Sequence, residues 1–161
     1  MKNSGFVNQM LSKNFSLDEF TVSQAAERFG YNNTPSEEVI SNLKELCVHV
    51  LQPLRDLVKV PVVITSGYRS PSVNAVIGGY YHSQHLEGKA ADFLITSLTL
   101  PECFNQVYKN LPFDQLIFEF GRWIHVSYNG NANRRQAMVS KKVEGKVLYT
   151  LVNKELVGEK L

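Results

Sequence analysis

The chain has 161 residues, the length of about one domain, and 43% of its residues are hydrophobic and 20% charged. This composition excludes a wholly disordered chain. The 17 basic and 15 acidic residues leave a formal net charge of +2, which is too balanced for a dedicated nucleic-acid binder, where a basic stripe is expected.

Sequence patterns argue against three further classes of protein. The longest uncharged run, residues 70–86, contains Ser, Asn, Gln, His, Gly and Pro, so we expect no membrane-spanning segment. The first residues lack an apolar stretch followed by a small-residue cleavage site, so we expect no secretory signal. Cys47 and Cys103 are too few for a disulfide framework, and we interpret both as buried side chains on apolar faces.

The first part of the chain predicts two short helices. Residues 1–14 are polar, and we expect them to be loose. Ser16 and Glu19 have the spacing of a capping box, which predicts that a helix or turn starts there. A second short helix is predicted over 22–29, with its end at Gly30.

The strongest helical pattern covers residues 35–57. Thr34-Pro35-Ser36-Glu37 combines an N-cap, a proline at the first helical position and a capping-box glutamate. Apolar residues then recur every three or four positions, which predicts one buried helical face. Pro53 removes a backbone hydrogen bond inside this pattern, so we expect a kink or break between His49 and Pro53.

The middle of the chain predicts a strand, a turn and a helix. The β-branched run 60–65 is typical of a short buried strand. The turn 66–71 leads into a helix for which Ser70 is the predicted N-cap, and the pair Gly78-Gly79 ends that helix.

The remaining patterns predict most of a sheet. We expect, in order, a strand over 90–95, a helix over 100–111, strands over 115–120 and 123–128, and a final strand over 146–152. Gly121-Arg122 would form a two-residue hairpin loop, and the polar segment 129–142 is predicted to be a flexible loop. Helices packed on a small antiparallel or mixed sheet give an α+β domain over residues 15–161.

Three residues at junctions of loops and strands are candidate metal ligands. Asp92 lies in an apolar strand, where an unpaired buried carboxylate costs several kcal/mol and therefore needs a cation or hydrogen-bond donors. His85 precedes it by a turn at Gly88, and His125 lies in another apolar strand. Two imidazoles and one carboxylate match the ligands of a catalytic zinc. On spacing alone, the alternative is a satisfied buried Asp92 and two unrelated histidines.

Two further residues are candidates for catalysis. In the predicted hairpin, Glu119 lies opposite Ile124 and one pair from His125, close enough to act as a general base on a water. The alternative is a glutamate that faces solvent. Arg69 follows a predicted buried strand and could hold a substrate carboxylate or carbonyl through forked hydrogen bonds. Its alternative is a surface ion pair.

These motifs together carry a family resemblance. Residues 83–92 read S-x-H-x-x-G-x-A-x-D, with Ser66-Gly67-Tyr68-Arg69-Ser70 before them and Trp123-Ile124-His125-Val126-Ser127 after them. The combination resembles the D-alanyl-D-alanine carboxypeptidase-type zinc peptidases, which include cell-wall carboxypeptidases, vancomycin-resistance D,D-dipeptidases and phage endolysins. The resemblance covers residues 15–128, and Phe15-Ser16-Leu17-Asp18-Glu19-Phe20 is similar to the compact single-domain branch found in phages and prophages. It implies the fold shared with the hedgehog signalling domain.

The resemblance implies a role for each candidate residue. It implies Zn2+ held by His85, Asp92 and His125, with Glu119 as the catalytic base. Arg69 would contact the substrate and the developing oxyanion, and Ser83 and Trp123 would be further substrate contacts. One departure concerns the base: many relatives place the acid three residues before the last histidine, where this chain has Arg122. Glu119 matches instead the hedgehog-like arrangement.

The resemblance also implies a function and partners. We expect a monomeric zinc metallopeptidase that cuts peptide bonds of peptidoglycan stem peptides as a carboxypeptidase or endopeptidase, with neither nucleic acid nor membrane as a partner. Without an export signal, it would be cytoplasmic at synthesis and would reach the wall after phage lysis or in a virion. The net basic tail is interpreted as a solvated face, with aid to wall binding as the alternative. The alternative function is a zinc-containing, non-catalytic cell-wall or partner-binding module; a metal-free structural phage component is a third hypothesis.

Overall fold

The computed structural model describes residues 9–157, so the expectation that residues 1–14 are loose falls outside it for 1–8. A six-stranded sheet has the strand order β3-β4-β6-β5-β7-β8 and is antiparallel except for the parallel pair β5 and β7. Its strands are β3 (Val63–Ser66), β4 (Ala90–Leu94), β5 (Gln115–Glu119), β6 (Trp123–Ser127), β7 (Gln136–Val143) and β8 (Lys146–Leu151). A second sheet pairs β1 (Met10–Ser12) with β2 (Phe15–Ser16).

Within residues 9–157, six α-helices accompany the two sheets, as the α+β prediction requires. They are α1 (Leu17–Thr21), α2 (Gln24–Phe29), α3 (Glu37–Leu46), α4 (Gln52–Val58), α5 (Pro71–Val76) and α6 (Leu100–Asn110). The capping box of Ser16 and Glu19 starts α1 as predicted. Gly30 ends α2 in the left-handed conformation. Such caps supply partners for backbone groups that a helix leaves unpaired at its ends.

The long helix predicted over 35–57 is interrupted where the sequence indicated. It begins at Glu37 rather than Pro35, because Ser36 and not Thr34 accepts the capping hydrogen bond, from the Val39 amide. A π-helical turn over Cys47–Leu51 separates α3 from α4. The turn adapts the backbone ahead of Pro53, whose ring would clash with a regular helical turn.

One face of the sheet packs against these helices to form the core. Alternate residues of β5 and β6, such as Leu116 and Ile124, are fully buried beside Leu43 of α3 and Phe104 of α6. Alternation along a strand sends the intervening side chains to the other face. That second face carries the polar residues of the candidate site.

Both cysteines match their interpretation as buried side chains. Cys47 and Cys103 are free and fully buried among apolar residues. No helix in the described part of the chain, residues 9–157, is long and apolar enough to cross a bilayer.

Three sequence-based predictions need correction. The loop predicted over 129–142 contains β7 from Gln136 onward, because Ala137 and Val139 point into the core while Gln136, Met138 and Ser140 alternate with them on the other face. Residues Met10–Ser12, expected to be loose, pair with β2. The strand predicted over 60–65 is Val63–Ser66, and it is an edge strand with Val63 exposed rather than a buried one.

The basic tail is also less uniform than expected. Arg134 forms an ion pair with the buried Asp114, with 2.6 Å between Nη2 and Oδ2. The guanidinium of Arg135 lies 4.6 Å from the centre of the Phe113 ring. These two cations are exposed, as a solvated face requires, and they also connect the segment before β7 to the rest of the fold. Lys160, a further basic residue of this tail, falls outside the described residues.

Candidate active site

Asp92 and His125 meet because their strands are neighbours. The two residues lie directly opposite each other on β4 and β6, and both side chains point away from the apolar core. The Asp92 Oδ1 atom lies 2.9 Å from His125 Nδ1. Each residue is only 8% exposed. Strand register therefore provides two of the three predicted metal-binding groups.

His85 reaches the same place from a 3-10 turn over Gln84–Glu87. Gly88 ends this turn with φ +69°, and a Cβ there would lie 2.6 Å from the Val39 carbonyl oxygen, so only glycine fits. His85 Nδ1 lies 2.7 Å from the carbonyl oxygen of Gly67. A carbonyl only accepts, so this nitrogen donates and Nε2 keeps its lone pair.

The electrostatics of the site favour the protonation states that metal binding requires, a neutral imidazole and an ionised carboxylate. Burial lowers the pKa of His85, which favours the neutral imidazole that a metal requires. Burial alone would raise the pKa of Asp92, but the imidazoles of His85 and His125 hold that pKa well below its ordinary value. Asp92 is therefore a carboxylate at neutral pH.

The three side chains fit a divalent metal ion. One nitrogen from each histidine and one Asp92 oxygen all lie within 4.8 Å of one another. His85 Nε2 lies 3.3 Å from Asp92 Oδ1, yet it is buried and forms no hydrogen bond among the described residues. A buried nitrogen with a free lone pair that faces a carboxylate lacks a hydrogen-bond partner, and its lone pair can bind a metal ion. A cation at this point would satisfy all three groups.

Glu119 lies on the same face as His125, although in a different register from the predicted one. It pairs with Trp123 and not with Ile124. The difference arises because Phe120 adopts φ +54° and joins Gly121 and Arg122 in a three-residue loop. In the predicted register Glu119 would have shared a face with Ile124, on the core side, since a shift of one residue reverses every side chain. The observed register directs it towards the metal-binding group.

Ser140 is a site residue that the sequence interpretation missed. It lies opposite Glu119 on the parallel neighbour β7, it is 1% exposed, and its hydroxyl donates a hydrogen bond to Glu119 Oε2. Burial raises the pKa of Glu119, while the bond from Ser140 and the charge of His125 act in the opposite direction. The apolar residues Ala137 and Val139, two positions apart as on one face of a strand, were the sequence signal that could have revealed β7.

Arg69 lies in the turn after β3 and faces the carboxylates of Asp92 and Glu119. Its Nη1 donates to Asn74 Oδ1 at 3.2 Å, and its buried Nε has no hydrogen-bond partner among residues 9–157. Burial lowers the pKa of Arg69, and the charges of Asp92 and Glu119 act against that shift. The surface ion pair that was the alternative for Arg69 is not formed within the described residues.

The remaining two predicted residues lie around this group. Ser83 is partly buried and accepts a hydrogen bond from the His85 amide at 3.3 Å, so it helps to hold the turn that carries His85. Trp123 is partly exposed opposite Glu119, and its ring lies 5.7 Å from that of Phe120.

Comparison with known proteins agrees with this geometry. A family model described as Peptidase M15 matches residues 13–127. No curated protein matches the chain. The matched segment contains all seven predicted site residues and ends before β7 and β8.

Proposed function

The chain belongs to the peptidase M15 family, and from this premise we propose that it is a zinc peptidase acting on the stem peptides of peptidoglycan. Peptidases of this family are metallopeptidases, which agrees with a buried group that could hold a metal. The observation that carries the proposal is the convergence of His85 Nε2 and His125 Nδ1 on one Asp92 oxygen.

Zinc is the metal that this donor set suits best. Two imidazoles and one carboxylate are a common set of three protein ligands in catalytic zinc sites, which keep a fourth position for water or substrate. When bound, zinc would supply a Lewis acid that polarises the peptide carbonyl and makes a water more acidic. The hydrogen bond from His85 Nδ1 to Gly67 would fix the orientation of that ligand.

Glu119 is the proposed general base and general acid. Its carboxylate takes a proton from the attacking water and returns it to the nitrogen of the leaving amine. Burial raises its pKa above the ordinary value of a glutamate, which makes its carboxylate a stronger base towards the attacking water. The Ser140 hydroxyl holds one carboxylate oxygen and leaves the other free for the water.

Arg69 is the proposed electrophilic partner. Its guanidinium, held through Nη1 by Asn74, donates to the carbonyl oxygen of the scissile bond as negative charge develops there. Ser83 and Trp123 are proposed substrate contacts on either side, as the resemblance implies. The peptidoglycan stem peptides proposed as substrates contain D-residues and carry carboxylates.

The test is hydrolysis of purified peptidoglycan by zinc-loaded protein, with the products identified by mass spectrometry. We expect released peptides, whose masses would also distinguish a carboxypeptidase from an endopeptidase. Glu119→Gln should abolish release and keep the zinc content of the wild type. Full zinc occupancy without any released fragment would overturn the peptidase proposal and favour the non-catalytic binding module.

A phage or prophage endolysin is the biological setting that we propose. Its support is the resemblance of Phe15–Phe20 and of the metal-binding motifs to the compact single-domain branch. Purified protein added to bacterial cell walls should lower their turbidity. Trimming of terminal residues without a fall in turbidity would instead indicate a carboxypeptidase that leaves the wall intact.

A further inference from the structure

A cavity of about 670 Å³ lies beside Glu119, at the end of the sheet. It exists because β5 stops at Glu119, whereas β7 continues to Val143 and pairs with β8 beyond that point. The loop from β5 to β6 forms one wall with Phe120 and Trp123, and β7 forms the other. The family model ends at residue 127, so the wall that β7 forms lies outside the part of the chain that the family model matches.

The cavity is strongly biased towards positive charge. Arg122, Lys141 and Lys142 line it, and no acidic side chain does. All three cations are exposed, and none forms an ion pair with any residue of 9–157. Like charges placed together repel one another, and an anion bound between them would relieve this repulsion.

The same cavity has an apolar side. The rings of Phe120 and Trp123 meet edge to face at 5.7 Å, and Val147 of β8 lies across from them. A ligand that suits both features has an anionic group attached to apolar atoms. A peptide segment with a carboxylate has this chemistry, whereas a free inorganic anion would use only the cations.

The cavity adjoins the proposed general base, although Glu119 does not itself line it. Trp123 is the strand partner of Glu119, and Ser140, which donates to Glu119, also lines the cavity. Two strand spacings separate β6, which carries His125, from β7, a distance of roughly 10 Å. An extended peptide covers that distance with about three residues. A bound carboxylate would therefore lie within a few residues of the scissile bond.

We propose that this cavity is a substrate subsite, in which Arg122, Lys141 and Lys142 bind a carboxylate of the peptide and the two aromatic rings cover its apolar atoms. The inference rests on the proposed function, because it assumes a peptide held at Glu119. It extends that function by assigning selection for anionic peptides to the hairpin of β7 and β8.

Trp123 provides the measurement, because it is the only tryptophan in the sequence and it lines the cavity. Zinc-loaded Glu119→Gln protein is titrated with a synthetic stem pentapeptide, and with the same peptide after every carboxylate has been converted to an amide. The fluorescence of Trp123 should change on binding of the acid. The double variant Lys141→Gln/Lys142→Gln should raise the Kd for the acid by about tenfold, the loss expected for charged hydrogen bonds, and leave the weak binding of the amide unchanged.

A matched double variant controls for general electrostatics. Lys146→Gln/Lys154→Gln removes the same charge from exposed positions that do not line the cavity, and it should bind the acid as the parent protein does. Equal affinity for acid and amide, or equal losses in the two double variants, would overturn the subsite. Charge-selective binding without hydrolysis by the wild type would instead overturn only the proposed function.

Discussion

Ser140 shows how a single hydroxyl can hold the carboxylate that we propose as the general base. It is buried on β7 and donates to the oxygen of Glu119 on β5. A carboxylate without this donor would rotate and would also hold its proton more tightly, because the hydrogen bond acts to lower the pKa of Glu119. In the proposed reaction Ser140 would therefore act through Glu119, as a positioning residue.

Replacing this hydroxyl gives a prediction at the residue scale. Ser140→Ala should lower kcat by about tenfold, the effect of losing one hydrogen bond to a charged group, with KM and zinc content unchanged. Because the pKa of Glu119 would rise, the acid limb of the kcat profile should move to higher pH. Ser140→Thr keeps a hydroxyl and should have the kcat and the pH profile of the wild type. A fall in the kcat of Ser140→Ala without a shift of its pH profile would contradict this role.

At the scale of elements, a second buried carboxylate joins β5 to the segment before β7. Asp114 is fully buried and accepts hydrogen bonds from the side chain and amide of Arg134 and from Gln84. Burial by itself would raise the pKa of Asp114, but these donors hold it below its ordinary value. Since Gln84 immediately precedes His85, the same carboxylate also fastens the turn that carries a metal-binding group.

Arg134→Ala should therefore destabilise the protein by about 2–3 kcal/mol. Removing one partner of a buried ion pair lowers the free energy of unfolding by about 3–5 kcal/mol. We expect a smaller loss here because the Arg134 side chain is 49% exposed. A lowered carboxylate pKa contributes stability above about pH 4 that is lost as the pH falls through the folded pKa. Urea denaturation should show the full difference from wild type at pH 7 and a smaller one at pH 3.

The exposed pair of Lys109 and Glu155 supplies the matched control. Lys109→Gln should change stability by less than about 1 kcal/mol, as for most surface ion pairs. If both variants cost the same, or if the effect of Arg134→Ala is independent of pH, the buried carboxylate is not what Arg134 stabilises.

At the scale of the whole molecule, the candidate metal-binding group brings separate parts of the fold together. Its members come from β4, from β6 and from the turn before β4. A metal that binds only the folded state stabilises it by about 4 kcal/mol when its free concentration is a thousandfold above Kd. For a domain of this size that free energy raises Tm by roughly 8–16 °C.

Thermal unfolding with zinc and with a chelator tests this coupling. Wild type should unfold at the higher temperature with zinc, and His85→Ala, which lacks one ligand, should show no such shift. A zinc-dependent shift that survives in His85→Ala would place the metal elsewhere. Identical wild-type transitions with zinc and chelator would contradict metal binding at this group.

The sequence by itself predicted the three candidate metal ligands that the fold brings together, through motifs that resemble a known family. It also indicated the helix break ahead of Pro53, since the lost backbone hydrogen bond is a property of that residue alone. Only the tertiary structure decided the face on which Glu119 lies and the presence of Ser140 beside it. Both depend on strand register and on the pairing of segments about twenty residues apart, and hydrogen bonds between strands set these features more than any local preference.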